Sequence, residues 1–336
     1  MAISMNKVGL GIDTTFDDTS IAILRGKSDI LANVTLSQYM DHEEFGGVVP
    51  ERASRKHMEV INPLINEALK QAGLTFQDLD YIAVSNYPGL LGSILIGVTV
   101  AKSLSYALKI PLLGVNHIEA HPYANFLIYN EITFPIVHLV VAGGHTLLLH
   151  AKNHFDYEII GRSVDDAAGE CVDKVAKMFG HPMPGGPVVD QAAMNSTPEK
   201  YQFPRPIINQ NNYNFSFSGL KTAMLRFRQA HPNLLQEENL ILSGFFQSIV
   251  DVLLHKTFSA AHDLKSDKIS VSGGLAASRK LRLSFEEKAK EKGITLFYPP
   301  PHLCTDNAAM VTCLAAYKYE AGYIDNLNLG VFANLR

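Results

Sequence analysis

The sequence predicts an α/β protein built from two similar lobes, and three observations support this prediction. Predicted strands alternate with predicted helices over roughly the first 125 residues, and the pattern then restarts. Each half opens with a predicted β-hairpin. With 336 residues, the chain is longer than one compact core usually holds. We therefore expect a first lobe over residues 1–130, to which a C-terminal helix at about 306–336 returns, and a second lobe over residues 131–305.

Local patterns predict the elements of the first lobe in order. VGLGI and IAIL predict two strands joined by the polar turn DTTFDDTS, and HMEVINPLINEALKQAG has apolar residues at helical spacing before a terminal glycine. YIAVSN predicts a buried strand that leads into the turn YPGLLGS, and ILIGVTVAKSLSYALKI predicts a buried helix. PLLGV predicts a further strand, which leads directly into the segment HIEAH.

The second lobe begins with the same kind of hairpin. PIVHLVVAGGHTLLLHAKN predicts a strand, a Gly-Gly turn and a second strand. VDDAAGECVDKVAKMFG predicts a helix that ends at Gly180, and HPMPGGPVVDQAA predicts a loop that opens into another helix. Three later segments complete this lobe. A long apolar helix is predicted by ENLILSGFFQSIVDVLLHKTFSAAHDL, a strand with a second Gly-Gly turn by KISVSGG, and a charged helix by RKLRLSFEEKAKEKG.

Composition excludes several classes of protein. Hydrophobic residues make up 47% and charged residues 18%, as in ordinary proteins with a packed core. No segment resembles a signal peptide or approaches the roughly 18 apolar residues of a membrane span, so we expect a cytoplasmic protein without membrane association. The odd set of Cys171, Cys304 and Cys313 predicts reduced thiols. With a net charge of −4, binding to nucleic acid would require local basic clusters or a basic partner.

Three strand-to-turn segments, GIDTTFDDTS, VVAGGHT and VSGGLAAS, indicate a phosphate-binding site. A glycine pair after a buried strand lets backbone N–H groups approach phosphate oxygens, although any single pair is also explained as a simple turn. The chain has no GxxxxGK[ST] and no GxGxxG after its first strand, which excludes the two commonest phosphate-binding motifs. The pattern that remains favours the actin/Hsp70-like (ASKHA) fold class, with a nucleotide cleft between two lobes.

His117 and His121 are the first candidate metal ligands, because residues at i and i+4 share one face of a helix. Glu119 lies roughly 200° around that helix from His117, so it is not placed as the base of a zinc protease. Asp306, at the start of an apolar helix, is either a third ligand or a helix cap. Two imidazoles with one carboxylate favour iron(II), with zinc as the alternative, although a structural pair of histidines also explains the spacing.

The segments HIEAH, AGGHT, DDAAGE, PGGPVVD, FSFSGLKT and TDNAAM follow one another in a specific order. In this order the sequence resembles the tRNA N6-adenosine threonylcarbamoyltransferases, the TsaD/Gcp family, in its bacterial and organellar branch. The resemblance implies transfer of a threonylcarbamoyl group from threonylcarbamoyl-AMP to N6 of the adenosine beside the anticodon in tRNAs that read ANN codons. It also implies one divalent metal per subunit, iron(II) or zinc, held by His117, His121 and Asp306, and no covalent nucleophile.

The resemblance further implies which residues bind the acyl-adenylate or an adenine nucleotide, namely Val140, Val141, Ala142, Gly143, Gly144, Asp173, Gly186, Asp190 and Ser278. The sequence departs from the family pattern at four positions, with Asp13 for glutamate, Tyr87 for glycine, Ala142 for serine and Ser278 for asparagine.

The partners that the resemblance implies are tRNA, a paralogous actin-like subunit of the TsaB type and a small ATPase of the TsaE type, with a homodimer as the alternative. Two other functions stay open at this stage. One is a small-molecule kinase of the same fold, and the other is a non-catalytic or partner-dependent scaffold that binds a nucleotide.

Overall fold

The computed structural model describes residues 6–42, 45 and 47–334. The chain divides into two compact units. The first unit consists of Met1–Asn130 and Asp306–Arg336, and the second consists of Glu131–Thr305. Each unit contains one five-stranded sheet and a hydrophobic core of its own.

The sheet of the first unit has the strand order β3-β2-β1-β4-β5. Its first three strands form an antiparallel meander, and β1, β4 and β5 are parallel. Strands β1 and β2 are the predicted hairpin, and β4 and β5 are the other predicted strands, whereas β3 was not predicted. The bounds of β1 to β5 are Val8–Asp13, Asp18–Arg25, Asp29–Ser37, Tyr81–Tyr87 and Leu112–Asn116.

Among the described residues before 131, the first unit has five α-helices. The predicted helix at residues 57–73 begins earlier, at Pro50, and ends as expected at Gly73, whose φ of 65° is in the left-handed region that favours glycine. Only one face of α3 is buried, while Leu95 on its other face is 51% exposed, so the prediction of a buried helix is wrong for half of it. The helices α1 to α5 are Tyr39–His42, Pro50–Ala72, Leu91–Leu108, His117–Ala120 and Tyr123–Phe126.

The sheet of the second unit has the order β10-β9-β6-β7-β8, which repeats the first sheet strand for strand. Strands β6, β7 and β8 are the antiparallel meander, and β6, β9 and β10 are parallel. The duplication predicted from the two hairpins is therefore confirmed. The strands β6 to β10 are Ile136–Ala142, His145–Asn153, Asp156–Arg162, Lys268–Ser272 and Thr295–Phe297. The helices α6 to α10 are Ala168–Met178, Gly186–Asn195, Ser218–Ala230, Glu238–Asp263 and Arg279–Lys292.

The last helix, α11 (Ala308–Glu320), belongs to the first unit and packs directly against β1. A Cβ atom on Gly11 would lie 1.9 Å from Thr312 Oγ1 and 2.9 Å from the carbonyl oxygen of Ala308, so only glycine permits this close approach. The helix is shorter than the predicted range of about 306–336, because the described residues beyond Glu320 form turns and extended chain. Its close packing sets the position of Asp306, two residues before the helix begins.

Candidate metal centre and nucleotide-binding turns

The segment HIEAH is the first turn after a strand, and Asn116 makes it helical. The Asn116 side-chain oxygen accepts hydrogen bonds from the backbone N–H groups of Ile118, at 2.9 Å, and Glu119, at 3.3 Å. Asparagine is among the best residues for capping a helix in this way, so α4 begins directly at His117. His121 follows the last residue of this short helix and has helical backbone angles. Both histidines are therefore held on one turn at the end of a buried strand.

Glu119 has a structural contact that explains its place between the two histidines. The Asn116 side-chain amide donates a hydrogen bond of 2.6 Å to Glu119 Oε1, so the glutamate braces the helix cap. Among the described residues, the cluster with metal-ligand geometry consists of His117, His121 and Asp306 and does not include Glu119. The arrangement of a zinc protease, with a base beside the metal, is not formed.

The structure brings His117, His121 and Asp306 together. His117 Nε2 lies 3.5 Å from Asp306 Oδ2, and His121 Nε2 lies 3.4 Å from Asp306 Oδ1. One donor atom from each residue lies within 4.8 Å of the other two. The imidazoles are fully buried, whereas the Asp306 side chain is 28% exposed. All three residues belong to the first unit.

These distances fit a divalent metal. Two donors that each lie about 2.1 Å from a tetrahedral ion are about 3.4 Å apart, close to both histidine–carboxylate separations. Neither ring nitrogen of the buried His121 has a hydrogen-bond partner among the described residues. Buried polar atoms are rarely left in this state, and a metal bound at Nε2 would account for one of them. The donor set suits iron(II) or zinc.

The electrostatics of the three ligands are strongly coupled. Burial lowers the pKa of His117, but the carboxylates of Asp13 and Asp306 outweigh burial and raise that pKa to about 10. Burial raises the pKa of Asp306, but the imidazoles of His117 and His121 outweigh it and hold that pKa far below its usual range. Burial lowers the pKa of His121. In the absence of metal the centre is therefore an ion pair of His117 and Asp306 beside a neutral His121.

The hydroxyl groups of the β1–β2 turn bond to the protein itself. Thr14 Oγ1 donates to the carbonyl oxygen of Ser93 at 2.8 Å, and Thr15 Oγ1 donates to Asp13 Oδ1 at 2.9 Å. His57 Nε2 lies 3.0 Å from the carbonyl oxygen of Phe16 and must carry a hydrogen, because a carbonyl only accepts. The threonine hydroxyls in this part of the predicted phosphate-binding site therefore brace the turn.

The two Gly-Gly turns of the second unit follow the neighbouring parallel strands β6 and β9. Val140, Val141 and Ala142 are buried at the end of β6, and Gly143 and Gly144 are exposed in the turn. Gly273 has a φ of 92°, and a Cβ atom there would lie 2.5 Å from the carbonyl carbon of Val141. Since the carboxyl ends of parallel strands meet at one edge of a sheet, both turns lie at the same edge.

A cavity of about 680 Å³ in the second unit is lined by three of the nine predicted nucleotide-binding residues, Gly186, Asp190 and Ser278. The Ser278 hydroxyl donates to Asp190 Oδ1, which also accepts from the backbone N–H of Lys280 at 3.0 Å. Residues 140–144 are not among those that line this cavity.

Asp173 is not among the residues that line the cavity, but it binds the loop beside it. Its Oδ1 accepts a hydrogen bond of 2.7 Å from the backbone N–H of Gly185, which precedes Gly186. Burial raises the pKa of Asp173. The carboxylate therefore holds the loop from which one wall of the cavity begins.

Two residues at these sites were predicted only as parts of the segments GIDTTFDDTS and VSGGLAAS, and not individually as site residues. Asp13 contacts His117, with 2.9 Å between Asp13 Oδ2 and His117 Nδ1. Gly274 lines the cavity beside Ser278. Both positions had a visible signal, since Asp13 is an acidic residue at the end of the first strand and Gly274 is the second glycine of a Gly-Gly turn.

Comparison with known proteins gives close relatives over nearly the whole chain. The sequence profile of TsaD, tRNA N6-adenosine threonylcarbamoyltransferase, matches residues 29–313. The protein of that name from Bacillus subtilis is 47% identical to this chain, with 93% of this chain and 91% of the relative covered. The proteins of the same name from Thermotoga neapolitana and Clostridioides difficile are 44% and 40% identical, with 97% and 98% of this chain and 98% of each relative covered.

Solved structures with low sequence identity share the fold. HypF from T. kodakarensis has a TM-score of 0.62 at 13% identity, with 96% of this chain and 49% of HypF covered. Component A of (R)-2-hydroxyglutaryl-CoA dehydratase from Acidaminococcus fermentans has a TM-score of 0.56 at 14% identity, with 95% of this chain and 100% of component A covered. Together with the duplicated sheet, these likenesses confirm the predicted actin/Hsp70-like (ASKHA) fold class.

Proposed function

Because this chain belongs to the family of tRNA N6-adenosine threonylcarbamoyltransferases, we propose that it transfers a threonylcarbamoyl group to N6 of an adenosine in tRNA. The donor is threonylcarbamoyl-AMP, and the target is the adenosine beside the anticodon in tRNAs that read ANN codons. The observation that supports the proposal most strongly is the geometry of His117, His121 and Asp306, which converge within a chain that matches the family over residues 29–313. The kinase and scaffold alternatives are not favoured, since the close relatives have the transferase name.

One divalent metal per subunit, iron(II) or alternatively zinc, is held by His117, His121 and Asp306. When bound, it supplies a Lewis acid that polarises and orients the oxygens of the acyl donor. The partial exposure of the Asp306 side chain leaves this side of the ligand cluster accessible to a substrate. The two buried imidazoles exclude water from the other side.

The second unit binds the adenylate. The backbone N–H groups of the Gly143–Gly144 turn donate hydrogen bonds to phosphate oxygens, which stabilises charge on the departing AMP. The cavity beside Asp190 accepts the nucleoside. Asp190 Oδ2 accepts a hydrogen bond of 3.1 Å from the backbone N–H of Arg279 and, as a carboxylate oxygen, has a further lone pair for a ribose hydroxyl.

The transfer proceeds by direct attack of the N6 amine on the acyl carbonyl, with AMP as the leaving group and no covalent enzyme intermediate. The cysteines support a transfer without a covalent enzyme intermediate. Burial raises the pKa of Cys171 to about 12 and also raises the pKa of Cys304 and Cys313. Three thiols that stay protonated at neutral pH do not provide a thiolate nucleophile.

The partners that we propose are tRNA, a paralogous actin-like subunit of the TsaB type and a small ATPase of the TsaE type, with a homodimer as the alternative. An exposed apolar surface on α2 and α3 supports a protein partner. The side chains of Met58, Leu91, Leu95 and Tyr106 on these helices are each more than half exposed. Light scattering of the purified chain, alone and with a paralogous subunit, separates the homodimer from the heterodimer.

We propose a cytoplasmic enzyme that is not associated with a membrane. Helix α3 is long and apolar enough to span a membrane by length and composition alone. In the structure, however, Ile94, Val98 and Ala101 of this helix are buried in the core of the first unit. The three free, buried cysteines also suit a reducing compartment.

The test of the proposed function is reconstitution with tRNA, the partner proteins and a source of threonylcarbamoyl-AMP, followed by mass spectrometry of the tRNA nucleosides. We expect the wild-type protein to form threonylcarbamoyladenosine. The variant His121→Ala should lose more than about 100-fold in rate, because even outer partners of metal ligands are worth about 10- to 100-fold. The control His262→Ala changes a histidine whose side chain is 87% exposed, and it should match the wild type. Full modification by His121→Ala would exclude the metal centre from the reaction.

A further inference from the structure

Asp13 lies directly behind His117, on the side of the imidazole that faces away from Asp306. It is the last residue of β1 and is only 2% exposed. Its Oδ2 lies 2.9 Å from His117 Nδ1, while His117 Nε2 faces Asp306. One carboxylate thus contacts each nitrogen of the ring.

The hydrogen bonds around Asp13 determine which nitrogen carries the hydrogen. Asp13 Oδ1 accepts hydrogen bonds from the backbone N–H of Thr15 at 3.2 Å and from its hydroxyl at 2.9 Å. These two bonds fix the carboxylate, which leaves Oδ2 to accept a hydrogen from His117 Nδ1. When the ring holds only one hydrogen, as a metal ligand does, that hydrogen is on Nδ1 and the lone pair of Nε2 is directed toward Asp306.

We propose that Asp13 is a positioning residue for the metal, which fixes the tautomer and the ring orientation of His117 so that Nε2 coordinates. This inference rests on the metal site proposed above. Metal-bound histidines commonly donate their second N–H group to a carboxylate, which orients the ring and raises the basicity of the ligand nitrogen. His121 differs from His117, because its Nδ1 has no hydrogen-bond partner among the described residues. His117 is therefore the pre-oriented ligand of the pair.

The first test compares the affinities of wild type and Asp13→Asn for zinc and cobalt(II), measured by competition with a chromogenic chelator. An asparagine can present its N–H group to Nδ1, which would place the hydrogen on Nε2 and block coordination. We expect Asp13→Asn to bind both ions about 10- to 100-fold more weakly. The control is Asp80→Asn, at the other end of β1, where the carboxylate accepts from Lys7 Nζ at 2.6 Å and from Val8 N at 2.8 Å. This control should bind metal as the wild type does.

A second measurement needs no variant. In zinc-loaded wild-type protein with ¹⁵N-labelled histidine, NMR should show His117 with a hydrogen on Nδ1 and zinc on Nε2. Coordination through Nδ1, or equal metal affinity of Asp13→Asn and wild type, would overturn the role of Asp13 alone. Failure of the wild type to bind either ion would instead contradict the metal site itself and this inference with it.

Discussion

Asp18, the first residue of β2, provides a prediction about stability and pH. Burial raises the pKa of this carboxyl group to about 7, and the nearby charges of Asp17, Asp306 and Asp13 add to the effect. Asp18 Oδ1 is buried and has no hydrogen-bond partner among the described residues. In the unfolded chain the pKa returns to the ordinary value of about 3.9. Between about pH 4 and pH 7, the folded protein therefore holds a proton that the unfolded chain releases.

The sign and size of the effect follow from this difference. Because the folded state binds more protons, stability falls as the pH rises from about 4 to 7 and stays lower above 7. A difference of about 3 pKa units corresponds to at most about 4 kcal/mol, and solvent screening of a partly exposed group reduces this to about 1–3 kcal/mol. Asp18→Asn removes the charge. We expect it to stabilise the metal-free protein by about 1–3 kcal/mol near pH 8 and by less than about 0.5 kcal/mol near pH 4.

The assay is urea unfolding of chelator-treated protein near both pH values, followed by a probe in the first unit. Direct titration of the Asp18 carboxyl carbon by ¹³C NMR should give a midpoint near pH 7. The control Asp29→Asn changes the first residue of β3, whose side chain is 60% exposed, and it should show no comparable difference between the two pH values. An equal effect of Asp18→Asn at both pH values, or a carboxyl midpoint near pH 4, would refute the reasoning.

Three further predictions concern Gly273 and Gly274 in the second unit and Asn116 beside the candidate metal site. Gly273→Ala should destabilise the second unit by about 2–4 kcal/mol, because the new methyl group would combine a positive φ with a clash against Val141. Gly274→Ala meets no atom within 4 Å and should leave thermal stability nearly unchanged, yet weaken adenine-nucleotide binding in calorimetry because Gly274 lines the cavity. Asn116→Ala should lower stability by about 1 kcal/mol and weaken zinc binding through loss of the cap, whereas Glu119→Gln retains an acceptor for Asn116 and should change both by little. Unchanged zinc affinity of Asn116→Ala, or unchanged nucleotide affinity of Gly274→Ala, would count against these roles.

Local patterns predicted the elements with strong signals, namely the two hairpins, the parallel strands β4, β5 and β9 and the long helices α2, α3 and α9. They did not predict β3, β8 and β10, which lie at the edges of the two sheets, or the helix α8. Strands at a sheet edge bury few residues, and the side chains of Asp156–Arg162 are mostly exposed, so the alternation that indicates a strand is weak there. The exposure of one face of α3 was not predicted for a different reason. Apolar residues such as Leu91 and Leu95 also occupy the exposed face, so the sequence pattern did not distinguish it from the buried face.

The candidate metal site was predictable only in part from residue spacing. His117 and His121 are close in sequence, so helical geometry alone places them together. The position of Asp306 depends on the packing of α11 against β1 through Gly11, which no local pattern contains. The contact of Asp13 with His117 depends on the parallel order of β1, β4 and β5, which brings the ends of non-neighbouring strands to one edge of the sheet. Contacts between side chains that are far apart in the sequence could therefore be predicted only from the family resemblance, or observed in the structure.

The central claim is that His117, His121 and Asp306 bind one metal ion, and anomalous diffraction from crystals grown with iron(II) or zinc tests it most directly. We predict one strong peak, within about 2.0–2.3 Å of both Nε2 atoms and of one carboxylate oxygen. A peak at another site, or an Asp306 side chain turned away from the two imidazoles in a metal-loaded crystal, would contradict the claim.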